Sequence, residues 1–192
     1  DVCSSDLRVA VDIGGTFTDL AAVDTRTGER WFAKANRTRL ALEIAEAVRS
    51  NMRADQPLFM RISCTDWSEG GWTIDDSVQL AKLVKPLGVD LMDCSSGNNV
   101  ATAQIPFAPG FQVPFAERIR KEAEMLTGAV GLITEPKQAE AILQTGQADV
   151  ALLAREMLRD PYFPMHAAQA LGVSPSVPKQ YLRAFNDPAR RS

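Results

Sequence analysis

Two short stretches carry residues that could bind an anion. Gly131 lies within one apolar run, and Ala154 and Arg155 follow directly on another. Small residues let backbone N–H groups approach an anion closely, and an arginine at a helix start adds a permanent positive charge. These residues predict a phosphate site, although a strand that ends in a solvated arginine fits the same pattern.

A second candidate anion site lies near the start of the chain, in residues 11–19 (VDIGGTFTD). Gly14 and Gly15 would let a hairpin backbone face a phosphate, Thr16 adds a hydroxyl, and Asp12 could orient a metal ion or water. The motif resembles the opening of the hydantoinase/oxoprolinase family, which are ATP-dependent enzymes of the actin-like ATPase fold. Because no second phosphate loop follows, we favour a β-meander without nucleotide affinity and keep the ATP-dependent enzyme as the alternative.

The segments around Gly131 predict strands and helices in alternation. Residues 129–133 and 150–153 are apolar runs of strand length, with Pro136 and Gly146 at the two ends of a helix between them. Strand, helix and strand with tight connections predict a βαβ unit, in which the strands are parallel. Binding groups in such a sheet collect at the carboxyl ends of the strands.

Further units of the same kind precede this one. Residues 57–62 and 89–94 are predicted strands, and Ser95 follows the second of them. Thr73 and Asp76 form a capping-box pattern at the start of the intervening helix. The sequence therefore predicts an α/β fold with four strand–helix units, half of an eightfold (β/α)8 TIM barrel, after an N-terminal β-hairpin or meander.

An amphipathic helix is predicted ahead of the first of these strands. Its apolar side chains recur every four residues at Leu40, Ile44, Val48 and Met52, with Ala41 and Ala45 beside them, and its charged side chains are expected on the outer face. The pattern changes near residue 35, which predicts a junction there. The predicted divisions are a leader at 1–7 that resembles translated adapter sequence, a hairpin fragment at 8–35, a partial barrel at 36–185, and a tail at 186–192.

The composition excludes several classes of protein. The 192 residues are 45% hydrophobic and 23% charged, which is typical of a globular domain. A net charge of −3 argues against a nucleic-acid or anionic membrane surface. No apolar run is long enough to span a bilayer.

The cysteines and the histidine give no metal or disulfide pattern. The three cysteines lack a CxxC spacing, so we expect neither a disulfide framework nor a zinc site, and a reducing cytoplasm fits. Cys64 and Cys94 are predicted to be small buried side chains. His166 is predicted to be a surface or packing residue rather than a ligand.

Six segments of the partial barrel follow one another in a distinctive order. They are 57–63 (PLFMRIS), 88–97 (GVDLMDCSSG), 112–116 (QVPFA), 131–134 (GLIT), 148–149 (AD) and 155–161 (REMLRDP). Their order and spacing resemble the Old Yellow Enzyme family, the FMN-dependent ene-reductases and NADPH dehydrogenases, and within it the xenobiotic reductase-like branch. The resemblance implies the C-terminal half of a TIM barrel, FMN as cofactor, NADPH or NADH as hydride donor, and a small enone-type substrate.

The resemblance also implies roles for individual residues. Arg61 would face N1 and the C2 carbonyl of the flavin, where a positive charge stabilises the reduced ring. A strand-end arginine paired with a carboxylate is the alternative. Arg183 would reach the substrate site of a neighbouring subunit, and a solvated tail charge is the alternative for it.

Four residues would hold the FMN phosphate by the same resemblance. They are Ser95 and Gly131, with Ala154 and Arg155 closing the site. The family usually has glycine where this chain has Ala154. A methyl group there is tolerated if φ is negative and hinders binding if φ is positive.

No residue of this chain matches the family's flavin cover or the histidine pair that grips the substrate carbonyl. We therefore assign no catalytic residue and no metal ligand, and expect this chain alone to be inactive. Four strands without their counterparts leave open edges, which predicts a homo-oligomer or self-association. A non-catalytic half barrel that binds phosphate is the remaining alternative.

Overall fold

The computed structural model describes residues 7–11, 20–24, 30–32, 36–97, 99 and 103–185. Its strands form two sheets, an antiparallel one with three strands and a parallel one with four. The motif residues Asp12, Gly14, Gly15 and Thr16 lie outside the described residues, as do segments 1–6 and 186–192. The nucleotide-binding hypothesis therefore stays a prediction.

The antiparallel sheet is the predicted meander. Strand β1 is Leu7–Val11, β2 is Leu20–Asp24 and β3 is Arg30–Phe32. β2 lies in the middle and pairs antiparallel with both neighbours. The first strand begins at Leu7, one residue before the predicted start of the meander.

The parallel sheet has the order β4-β5-β6-β7 and confirms the predicted fold class. Its strands are β4 (Phe59–Ser63), β5 (Leu91–Ser95), β6 (Leu126–Ala129) and β7 (Val150–Ala151). The helices are α1 (Asn36–Ser50), α2 (Ile74–Val84), α3 (Val113–Ala123), α4 (Pro136–Gln144), α5 (Arg155–Arg159), α6 (Phe163–Ala170) and α7 (Leu182–Phe185). None of these helices has the length and apolar character to cross a bilayer.

Local signals explain where several helices begin and end. The Thr73 hydroxyl accepts a hydrogen bond from the N–H of Asp76, and the Asp76 carboxylate accepts one from the N–H of Thr73. This is the predicted capping box at the start of α2. Pro136 begins α4, and Gly146, with a φ of 70°, follows its end as predicted.

One face of the parallel sheet forms the core. Ile62, Met92 and Cys94 point to this face and are fully buried beneath the helices. Val84 of α2 and Ile119 of α3 pack on the same cluster. Successive side chains of a strand point to opposite faces of the sheet. The residues between these buried ones therefore lie on the opposite face.

The opposite face of the sheet is partly open: Leu91 of β5 lies level with Phe59 on this face and is buried, but residues on the other three strands are exposed. Phe59 is 61% exposed, and Leu126 and Val150 on the other strands are also exposed. Within the described ranges, no strand pairs with the outer edge of β4 or of β7. The sheet therefore presents an apolar inner face, which we define as the exposed side of residues 59, 126 and 150.

The predicted strand at residues 129–133 is wrong. β6 ends at Ala129, which pairs with Cys94, and the rest of the apolar run lies in the following loop. Gly131 and Leu132 have φ values of 115° and 51°, which cannot continue an extended strand. Ile133 is nevertheless buried, because it reaches the core from the loop.

The predicted amphipathic helix is α1, and its packed face is centred on the two alanines of the predicted apolar side. Ala45 is 4% exposed and Ala41 is similarly buried, whereas Ile44 is 47% exposed and Val48 is exposed as well. α1 contacts α2, and alanine side chains let two helices approach closely. The alanines therefore form the packed face, and the larger apolar residues lie beside it.

Candidate functional site

The predicted site residues lie at one edge of the parallel sheet. Ser95 is the last residue of β5, and Arg61 lies near the end of β4. Gly131 follows β6 by two residues, and Ala154 and Arg155 follow β7. Because the four strands are parallel, the structure brings these five residues to the same edge.

Arg61 lies on the open inner face and contacts two neighbours on β5. Its Nη1 is 3.3 Å from Oδ2 of Asp93, and its Nη2 donates to the Ser95 hydroxyl at 3.3 Å. The ion pair that we considered as the alternative is therefore present. The side chain is still 54% exposed, so the same guanidinium remains accessible to a ligand.

Two buried polar atoms beside Arg61 have no partner among the described residues. They are Oδ1 of Asp93 and the hydroxyl of Ser63. Burial raises the pKa of Asp93, and the nearby Arg61 charge opposes this rise only in part. Buried polar atoms are almost always hydrogen-bonded in native proteins, so these two atoms are exceptions within the part of the chain that the structure describes.

Gln112 contacts the end of β5, and the sequence analysis gave it no role although it begins segment 112–116. Its side-chain Nε2 donates to the hydroxyl of Ser96 at 2.8 Å and to the Ser96 carbonyl at 3.0 Å. The space above Gly131 is filled by the same side chain. Gln112 immediately precedes α3, and no local pattern indicates that its side chain contacts Ser96.

The backbone conformation at Ala154 tolerates a methyl group. Its φ is −107°, outside the left-handed region that favours glycine. Arg155 follows as the first residue of α5, and its side chain is exposed. Alanine at this position is therefore compatible with the predicted approach of the backbone to a phosphate.

Arg183 is not joined to this edge by any hydrogen bond or ion pair among the described residues. It lies in α7, which packs on the preceding turn Lys179–Tyr181, and it is exposed. Its predicted role requires a neighbouring subunit. That role stays a prediction.

The loops above the edge hold a strained backbone at a non-glycine residue. Trp67, in the loop after β4, has a φ of 54°. Its indole Nε1 donates to the Ser96 hydroxyl at 3.0 Å, and its ring packs edge-on against Phe115. Such a conformation costs free energy and persists only where surrounding contacts enforce it. The Ser96 hydroxyl thus ties the β4 loop to Gln112.

The Asp66 carboxylate holds the loop after β4 through three hydrogen bonds. Its Oδ2 accepts from Arg37 at 2.9 Å and from the N–H of Trp72 at 2.8 Å, and its Oδ1 accepts from Asn99 at 2.8 Å. Burial alone would raise the pKa of Asp66, but these hydrogen bonds outweigh burial and hold the pKa below its usual range. The carboxylate therefore joins α1, the β4 loop and the β5 loop.

The cysteines and the histidine lie where the sequence predicted. Cys64 and Cys94 are free and fully buried, and burial raises the pKa of the Cys64 thiol well above its ordinary value. The Cys64 thiol is therefore not suited to act as a nucleophile, and burial keeps the Cys94 thiol from contact with a substrate. His166 is exposed on α6, and its Nδ1 lies 2.7 Å from Oδ2 of Asp160.

Comparisons with known proteins point to one family. The sequence model of the NADH:flavin oxidoreductase / NADH oxidase family matches residues 20–173. An NADPH dehydrogenase of Halalkalibacterium halodurans is 52% identical over 150 residues, 78% of this chain and 44% of that protein. The Bacillus subtilis NADPH dehydrogenase is 46% identical over 160 residues, 83% of this chain and 46% of its own length. The chain thus spans less than half of these relatives.

Solved structures agree on the fold. A 2-naphthoyl-CoA reductase in complex with 2-naphthoyl-CoA superposes with a TM-score of 0.62 at 25% identity, over 73% of this chain and 22% of that one. A histamine dehydrogenase from Rhizobium sp. 4-9 superposes with a TM-score of 0.59 at 22% identity, over 72% of this chain and 20% of the other. The comparisons give no support to the hydantoinase/oxoprolinase resemblance of residues 11–19.

Proposed function

Because the chain belongs to the NADH:flavin oxidoreductase / NADH oxidase family, we propose that residues 36–185 supply the FMN-binding half of an NAD(P)H-dependent oxidoreductase. The observation that carries this proposal is the arrangement at the sheet edge. Ser95, Gly131 and Arg155 follow three adjacent parallel strands, and Arg61 lies beside them on the open face.

The residues present fit the cofactor. Ala154 has a negative φ, and the exposed Arg155 adds a charge for the phosphate. Gly131 is buried in the loop after β6, and its backbone lies at the same edge of the sheet.

The chemistry of the proposed reaction is hydride transfer, which bound FMN would supply between NADPH or NADH and an activated alkene of the enone type. In this proposal the Arg61 guanidinium lies where its charge stabilises negative charge on the flavin ring. Asp93 and Ser95 contact two nitrogens of that guanidinium, and the side chain is still 54% exposed. The cytoplasm is the proposed compartment, because the two buried cysteines are free.

The phosphate contact gives the first test. We expect the chain to bind FMN more tightly than riboflavin, which lacks the phosphate, and Arg155→Ala to abolish that preference. Loss of one charge-assisted contact costs about 1.5–3 kcal/mol, roughly ten- to a hundredfold in affinity. Quenching of flavin fluorescence during titration with protein measures both affinities.

A neighbouring arginine provides the matched control for this test. Arg159 lies on the same helix but pairs with Glu156, so Arg159→Ala should keep the preference for FMN. Equal affinities for the two flavins in the unmodified chain, or the same loss in both variants, would contradict the proposed phosphate site.

The open inner face gives the second test. We propose that the chain self-associates through this face and the free edges of β4 and β7, because unpaired edges and exposed apolar side chains recruit other chains. Phe59→Lys should shift the molar mass measured by light scattering towards the monomer. Leu158→Lys, at an exposed leucine of α5, should leave the mass unchanged. A sharply monomeric unmodified chain would contradict this proposal.

A further inference from the structure

The side chain of Gln112 joins two parts of the edge. It is buried, and its Nε2 donates to the hydroxyl and the carbonyl oxygen of Ser96. The same nitrogen lies 3.5 Å from the hydroxyl of Ser95. The amide therefore fixes the end of β5 where the chain turns into its loop.

The other side of Gln112 packs on Gly131. A Cβ placed on Gly131 would lie 2.8 Å from Oε1 and 3.1 Å from Cβ of Gln112, which leaves no room for a side chain. The N–H of Gly110 also donates to the carbonyl oxygen of Gly131 at 2.8 Å. Residues 110–112 thus hold Gly131 by a backbone bond and by direct packing.

Gln138 holds the same loop from the opposite side. Its Nε2 donates to the carbonyl oxygen of Leu132 at 3.2 Å, and its Oε1 accepts from the N–H of Thr134 at 3.1 Å. The left-handed backbone of Gly131 and Leu132 therefore lies between two glutamine side chains. Gln112 is the one that also reaches the end of β5.

We propose that Gln112 is a positioning residue that sets the spacing between Ser95 and Gly131. This inference rests on the proposed function, in which both residues contact the FMN phosphate. Gln112 acts through them and does not touch the phosphate. Groups that bind a ligand need support that holds them within about 0.5 Å of the productive geometry. Loss of that support should weaken the binding of the phosphate and leave the ring contacts unchanged.

The test compares two glutamine-to-methionine variants. Gln112→Met keeps the length and packing of the side chain but removes its amide donor, so FMN affinity should fall about tenfold while riboflavin affinity stays unchanged. Gln144→Met is the matched control, because Gln144 is exposed on α4 and bonds only Glu140 among the described residues. Gln112→Glu keeps the side-chain shape and also lacks the donor, so it should lose FMN affinity to at least the same degree.

A measurement without flavin tests the positioning itself. The amide hydrogen of Gly110 bonds Gly131, so its exchange with solvent should become about fivefold faster in Gln112→Met and stay unchanged in Gln144→Met. Equal losses of FMN and riboflavin affinity, or an unchanged exchange rate at Gly110, would overturn the positioning role. If the unmodified chain binds FMN and riboflavin equally well, the proposed function is overturned instead. In that case the exchange rate at Gly110 alone tests whether Gln112 positions Gly131.

Discussion

Replacing Asp66 with alanine is expected to lower the free energy of unfolding by about 1–3 kcal/mol, because three buried or partly buried donors lose a hydrogen-bond acceptor. The Asp66 side chain is 2% exposed and accepts hydrogen bonds from Arg37, Trp72 and Asn99. These donors come from three separate segments of the chain, and alanine offers them no acceptor. Urea denaturation followed by tryptophan fluorescence measures the change.

An exposed aspartate serves as the control for this variant. Asp55 pairs with Arg53 at 2.9 Å, but both side chains are largely exposed. Exposed ion pairs contribute little to stability, so Asp55→Ala should leave the urea midpoint nearly unchanged. Similar midpoints for the two variants would show that the Asp66 network does not hold the β4 loop.

The same aspartate should give the chain an acid-sensitive stability. The pKa of Asp66 is lower in the folded chain than in the unfolded one, so its stabilising effect is fully present above the unfolded value of about 3.9. The effect is lost as the pH falls through the folded pKa. The stability difference between the unmodified chain and Asp66→Ala should therefore shrink below about pH 4.

The local parts of the fold could be predicted from the sequence. The capping box of Thr73 and Asp76 and the helix limits at Pro136 and Gly146 depend on residues a few positions apart. The order of strands and helices then implies a parallel sheet, and a parallel sheet brings its carboxyl ends together. That reasoning was enough to place Ser95, Gly131 and Arg155 at one edge.

The predicted strand at residues 129–133 was wrong because a run of apolar residues does not require an extended backbone. Val130 and Ile133 are as apolar as strand residues, but the left-handed φ values of Gly131 and Leu132 put them in a loop. In α1 the predicted apolar side held both the large residues and the alanines, and the spacing alone did not indicate that the alanines would form the packed face.

The polar contacts of the site depend on residues far apart in sequence. Arg37 and Asp66 are separated by 29 positions, and Gln112 and Ser96 by 16. No local pattern predicts such a pair. Asp93 is an exception, since it lies two residues before Ser95 in a strand, and alternation alone puts both on one face.

The chain alone is expected not to reduce activated alkenes. Such a reaction requires the substrate carbonyl to be held by paired hydrogen-bond donors, which place the reacting carbon and stabilise developing negative charge. The sequence has one histidine, His166, which is exposed on α6 and bound to Asp160. Loss of a single such donor typically costs about 10²–10³ in rate. With the pair absent, only the background rate should remain.

The decisive measurement is anaerobic oxidation of NADPH with FMN and cyclohexenone, with and without the chain. The rate should equal that of free FMN, and His166→Ala should not alter it, because His166 lies on α6 after the last strand, is exposed and contacts Asp160. The Bacillus subtilis NADPH dehydrogenase serves as the positive control for oxidation of NADPH. Turnover well above free FMN would contradict this expectation. If Arg183→Ala removed that turnover, an arginine of an associated chain would be holding the substrate carbonyl in place of the histidine pair.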